Sequence, residues 1–114
     1  MTVRVLLADR EGVARRVLAG ALQAIDGVEL AGEVSDSADL ADALRLTDSE
    51  VLVIDDRLLR DTGSLLVGLP GLRVLVLGAD DDPAFAARAR RLGAEAWIAK
   101  DRADERLVAL LQGA

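Results

Sequence analysis

Along the chain, short apolar runs alternate with segments whose apolar residues recur every three or four positions, five of each. Runs of that kind are strands and recurrences of that period are amphipathic helices, so the pattern predicts a doubly wound α/β domain with a parallel sheet. Strands are predicted over residues 3–8, 28–34, 51–54, 73–77 and 96–99. The run 51–54 is wholly apolar, as a strand covered on both faces must be, which places it centrally.

The first helix is expected to bury Val13, Val17, Ala21, Leu22 and Ile25 and to close at Gly27. The second follows the turn Ser35-Asp36-Ser37 and is expected to bury Leu40, Ala41 and Leu44. Little chain remains between strands three and four, so the third helix is expected to be stunted, confined to residues 63–68 by Leu69-Pro70-Gly71. Asp82, Pro83 and Gly93 supply a cap, a first-turn proline and a stop for the fourth, whose exposed face carries Arg88, Arg90 and Arg91. The last helix, about 103–112, buries Leu107, Leu110 and Leu111. With no repeat, low-complexity tract or linker, residues 1–114 read as one domain.

Composition narrows the chemistry. Hydrophobic residues make up 52% of the chain but aromatics only 2%, which predicts a core of Leu, Val, Ile and Ala. There is no Cys and no His, which removes thiol catalysis, cysteine zinc sites, histidine triads and most transition-metal sites. A formal charge of −6 argues against direct contact with nucleic acid and points to protein partners. No apolar stretch approaches the roughly 20 residues that span a bilayer and no signal peptide is visible, so no membrane association and a cytoplasmic location are expected.

Three of the strands end on a charge: Asp9 after the first, Asp55 after the third and Lys100 after the fifth. Ligands of an open α/β sheet collect beyond the carboxyl ends of its strands, and two carboxylates facing an ammonium are a rudimentary phosphoryl or cation site. Taken singly, each is an ordinary helix-opening aspartate or surface lysine. Their joint placement makes them a candidate site. Competing α/β sites lack their motifs: Asp9-Arg10-Glu11-Gly12 is no G-x-G-x-x-G loop, and Arg57 stands where a haloacid-dehalogenase-type phosphatase needs its second Asp.

Over its full length the chain resembles a response-regulator receiver domain, the CheY-like module of two-component signalling. Asp9, Asp55 and Lys100 match the family's first-strand acid, phosphoacceptor and strand-five lysine, and Gly78 falls where a Thr or Ser ends strand four. The segment Leu92-Gly93-Ala94-Glu95-Ala96-Trp97-Ile98-Ala99-Lys100-Asp101 is similar to the strand-five signature of NarL/FixJ-type transcription regulators, with Trp97 at the aromatic switch position. The resemblance implies a (βα)5 flavodoxin-like fold of strand order 2-1-3-4-5. It also implies a Mg²⁺ site made by the acidic pair, the phosphoacceptor and a backbone carbonyl, here Asp9, Asp55 and Arg57. Lys100 would pair with a phosphoryl oxygen, and dimerisation would use helix four, strand five and helix five.

Two parts of that machinery differ. Arg10 stands where the second acid belongs and Gly78 has no hydroxyl; the usual Pro-Gly after the phosphoacceptor is also replaced by Leu58-Leu59-Arg60-Asp61. Counting Asp9 and Asp55 against Arg10 and Lys100 gives a pocket neutral without metal, so Mg²⁺ binding is expected to be weak or absent. Arg10 is expected to bond Asp55 or Asp9 bidentately in the metal's stead. Asp56 is expected to be solvated and Glu11, one residue late, to replace the lost acid poorly. Trp97 reads equally as half-buried packing or as a working switch, and the arginines of helix four as a solvated face or a partner surface.

The leading expectation is an atypical receiver, or pseudoreceiver: a non-enzymatic interaction and dimerisation module with impaired Mg²⁺-dependent phosphorylation. The alternative is a conventional receiver phosphorylated on Asp55 by a histidine kinase to control a DNA-binding effector. A small ligand docking over the altered pocket is a third possibility.

Overall fold

The computed structural model describes residues 2–62, 69, 71–79 and 82–112. Strands β1 (Val3–Ala8), β2 (Val28–Val34), β3 (Val51–Asp55), β4 (Arg73–Gly78) and β5 (Ala96–Ala99) alternate with helices α1 (Gly12–Gln23), α2 (Leu40–Thr47), α3 (Asp56–Thr62), α4 (Pro83–Arg91) and α5 (Ala103–Gln112). Single 3₁₀ turns, Ser37–Asp39 and Lys100–Arg102, lead into α2 and α5. The strands form one parallel sheet of order β2-β1-β3-β4-β5, as the resemblance implies.

All five residues of β3 are buried, in keeping with its apolar run and central place. Successive side chains of a strand point to opposite faces, and the sheet accordingly divides the core in two. Val5, Leu7, Val53, Leu75, Leu77 and Ile98 meet Leu18 and Leu22 of α1 and Leu107 of α5. Leu6, Leu52, Ile54 and Val76 meet Leu40 of α2, Leu58 and Leu59 of α3 and Ala89 of α4, with Trp97 packed at the margin. The second layer lies on the side of the sheet where Gly78 and Trp97 face each other.

Helix four is built as its signals predict. The Asp82 carboxylate accepts from the Ala84 N–H at 2.9 Å, Pro83 occupies the first turn, and the chain leaves through Gly93 at φ 89°. The Gly93 N–H donates to the Arg90 carbonyl and the Ala94 N–H to that of Ala89, a Schellman closure that needs a left-handed residue between them.

Three packing expectations are corrected. Leu22 of α1 and Ile25 just beyond it are buried as expected and are joined by Leu18, whereas Val13 and Val17 are exposed. The stripes through Val17 and through Leu18 lie one residue, about 100°, apart on the helix, and the one bearing two leucines and an isoleucine buries more apolar surface than the one bearing two valines. In α2, Ala41 is exposed and Ala43 takes its place beside Leu40 and Leu44. Helix three starts directly on β3 at Asp56; residues 63–68, where the sequence reading put it, lie outside the described residues. Without Pro or Gly after Asp55 nothing breaks the chain there, and Leu58, Leu59 and Thr62 fall on one buried side.

Candidate functional site

The parallel register carries the charged strand ends to one place. β1 pairs β3 through Ala8 and Ile54, so Asp9 and Asp55 emerge side by side, and Lys100 follows β5 beyond β4. The Lys100 ammonium lies 3.0 Å from Asp55 Oδ1 and 3.1 Å from Asp9 Oδ2. The second oxygen of each carboxylate is held by the backbone two residues on: the Glu11 N–H donates to Asp9 Oδ1 at 2.9 Å and the Arg57 N–H to Asp55 Oδ2 at 3.2 Å. This repeated turn aims both acids inward and fixes their free oxygens on the lysine. The Arg15 guanidinium steadies the first turn by donating to the Asp9 carbonyl at 3.0 Å.

Asp9 is fully buried and the Asp55 side chain is 9% exposed. Burial alone lowers the Lys100 pKa, but hydrogen bonding and Coulomb attraction from Asp55, then Asp9, outweigh it, and the net direction is upward. The ammonium therefore stays charged throughout the physiological range. Asp9 Oδ2 makes its ion pair outside hydrogen-bonding geometry and has no hydrogen-bond partner.

Arg10 does not bond Asp55 or Asp9, which corrects the expected tether. Its half-exposed guanidinium pairs with Asp61 of α3. The Lys100 ammonium is already seated between the two inner acids, which leaves Arg10 to the next carboxylate outward. Including Asp61 changes the charge count from neutral to −1, and a dication would carry the pocket to +1. Glu11 is exposed at the start of α1, with its backbone rather than its side chain facing Asp9.

Asp56 is not solvated. It is 7% exposed and receives the Arg88 guanidinium on both oxygens, at 3.0 and 3.1 Å, and Arg60 at 3.1 Å. Starting α3 at Asp56 turns this side chain under α4 instead of along an extended strand. Arg88 is thus no part of a purely solvated face. Its guanidinium carbon also lies 4.6 Å from the centre of the Phe85 ring, and that ring stacks on Trp97 with centroids 4.8 Å apart and planes 1° from parallel. The sequence reading missed Asp56, Phe85 and Arg88. One signal was available: Phe85 and Trp97 are the chain's two aromatics, and Phe85 and Arg88 are three apart on a helix.

Gly78 is more than a lost hydroxyl. A Cβ built there would overlap Cζ2 and Cη2 of the Trp97 indole and lie 2.8 Å from its Cε2. Trp97 registers with Val76, and its ring reaches two residues along β4 to fill the space that any larger residue at position 78 would need. A cavity of about 600 Å³ lies at the opposite end of the sheet, near Arg4, Glu50 and Leu72, away from the site.

A Mg²⁺ ion wants near-octahedral oxygen ligands. Among the described residues no three Asp, Glu, His or Cys side chains converge on one point. Asp9 and Asp55 each accept from a backbone N–H on one oxygen and place the other within ion-pair distance of Lys100. Arg57, whose carbonyl completes the implied set, lies in the first turn of α3. In this arrangement the donor set does not fit the dication.

No family model matches the chain. A curated relative, the uncharacterized transcriptional regulatory protein YxjL of Bacillus subtilis, is 24% identical over 117 residues, covering 98% of this chain and 54% of that protein. The chain therefore spans about half the length of that relative. A solved structure of the signal receiver domain of NarL from Mycobacterium tuberculosis superposes with a TM-score of 0.85 at 25% identity, covering 98% of this chain and 94% of that one. The isolated receiver domain of RcsB from Salmonella enterica serovar Typhimurium, in its apo form, gives 0.82 at 25% identity over 98% and 90%. These likenesses run nearly the whole length of the chain and keep one fold throughout: the chain is similar to the receiver domains of NarL- and RcsB-type response regulators.

Proposed function

We propose that residues 1–114 work as the receiver of a response regulator in which Mg²⁺-dependent phosphorylation of Asp55 is impaired, leaving a protein-interaction and dimerisation module rather than an enzyme. The observation that carries this reading is the fate of the second acid position: Arg10 fills it with a cation that turns outward to Asp61, and Lys100 alone bridges Asp9 and Asp55. Asp55 keeps the phosphoacceptor position and Lys100 that of the phosphoryl partner. Asp9, Asp55 and the Arg57 carbonyl occupy the positions of a Mg²⁺ site whose binding is weak or absent in this reading because of Arg10. Gly78 and Trp97 are the switch positions, already closed on each other.

The partners in this reading are a histidine kinase or another regulator and a second copy meeting through α4, β5 and α5, in the cytoplasm. Among the described residues no helix is long and apolar enough to cross a membrane. Nucleic acid would be met by a separate effector in a longer protein, in keeping with the relative of twice this length that is called a transcriptional regulator. Incubation with acetyl phosphate and millimolar Mg²⁺ tests the reading by mass spectrometry. The expected result is little or no phosphoryl gain at Asp55 under conditions that load a conventional receiver. Stoichiometric gain at Asp55, abolished by Asp55→Asn, would overturn it in favour of a conventional phosphoacceptor.

A further inference from the structure

Asp55 and Trp97 are joined by a route that bypasses Gly78. Asp56, the residue after the phosphoacceptor position, is 7% exposed and holds the Arg88 guanidinium on both carboxylate oxygens. Both bonds come from the one Nη2, so the charge-assisted contact anchors that end of the guanidinium in the carboxylate. Arg88 then lies over Phe85, one turn earlier on α4, at 4.6 Å from the ring centre, and Phe85 stacks flat on Trp97 of β5. A cation over an aromatic face is attracted by the ring quadrupole, and a parallel stack couples the next ring mechanically. Asp56 is buried and Arg88, Phe85 and Trp97 are partly buried, so these attractions are less screened than at a fully exposed surface.

We infer that Asp56, Arg88, Phe85 and Trp97 form a cation–π latch that ties the carboxyl end of β3 to the α4–β5 face and holds the Trp97 indole in the space left by Gly78. The inference rests on the receiver reading for its purpose, because the latch starts beside Asp55 and ends at the surface assigned to partners. Arg88 is a positioning residue: it acts on Trp97 only through Phe85. A change of charge at Asp55 reaches Arg88 through Asp56, so the position of α4 can report on that end of the sheet without a hydroxyl on β4.

Trp97 is the single tryptophan, so its fluorescence reads the last member of the latch directly. The test measures acrylamide quenching of the unphosphorylated protein and of folded variants. Arg88→Gln and Asp56→Asn are each expected to raise the quenching constant about twofold, and the double variant no further. Arg60→Gln, which removes the other partner of Asp56, is expected to leave it unchanged. Unchanged quenching in both single variants, or effects that add in the double, would overturn the latch. Should Asp56→Asn fail to fold, Arg88→Lys decides: it keeps the charge without the planar guanidinium that lies over Phe85, intermediate quenching supports the latch and wild-type quenching refutes it. Because no phosphodonor is present, a failed latch leaves the receiver reading standing, and a receiver that ignores phosphodonor leaves the latch result standing.

Discussion

Lys100 is the residue on which the pocket's electrostatics turn. It neutralises one of two inward-facing carboxylates and lies within ion-pair distance of both. Replacing it with Met leaves Asp9 and Asp55 facing each other with no cation between them. The expected cost is about 1–3 kcal/mol at pH 7, below that of a fully buried pair because the ammonium is partly wet. The pH dependence follows from the direction of the shift. Because the folded-state pKa of Lys100 is raised, its contribution is fully present below the unfolded value near 10.4 and is lost as pH rises through the higher folded value. Urea midpoints of wild type and Lys100→Met should therefore differ by a constant amount from neutral pH to about 9 and converge above the unfolded value near 10.4. A difference that grows in alkali contradicts the assignment. The exposed Arg73–Glu95 pair acts at the other end: hydrogen bonding to Arg73 lowers the Glu95 pKa despite burial, so its small contribution fades as pH falls through that lowered value.

Between elements, the fit of β4 to β5 decides the state of Trp97. Gly78→Ala places a methyl where the indole lies, so the ring must leave or the strands must part. The expected outcome is a red-shifted, more readily quenched Trp97 emission and a loss of about 1–3 kcal/mol in urea denaturation, the usual cost of overpacking. An unchanged spectrum would show that the indole does not depend on the glycine. This contact also marks where the sequence ceased to be legible. Apolar run length and punctuation place all five strands and the caps of α4, because those signals are local. The α1 face was expected correctly at Leu22 and Ile25 but wrongly at Val13 and Val17, because Val13-Val17-Ala21 and Leu18-Leu22-Ile25 both satisfy a helical period and only packing against β1 and β3 separates them. The stop at Leu69-Pro70-Gly71 draws the expected third helix to residues 63–68, although residues 56–62 contain no residue that stops a helix.

At the scale of the whole molecule, the sheet gathers charges 91 residues apart, Asp9 and Lys100, into one buried contact. Strand-end position alone identified Asp9, Asp55 and Lys100, because parallel topology leaves them no other place to meet. The partners of Arg10, Asp56 and Arg88 were not legible, since which carboxylate a long cationic side chain reaches depends on where α3 begins and how α4 lies over it. In the proposed function, Arg10 opposes a metal between Asp9 and Asp55, and calorimetric titration of Mg²⁺ into the wild-type protein and into Arg10→Asp measures that opposition. No saturable binding is expected in the millimolar range for wild type, and binding at least about tenfold tighter, roughly 1.4 kcal/mol, is expected once Arg10→Asp supplies a third carboxylate. Millimolar binding by the wild-type protein, unchanged in Arg10→Asp, would contradict this reading.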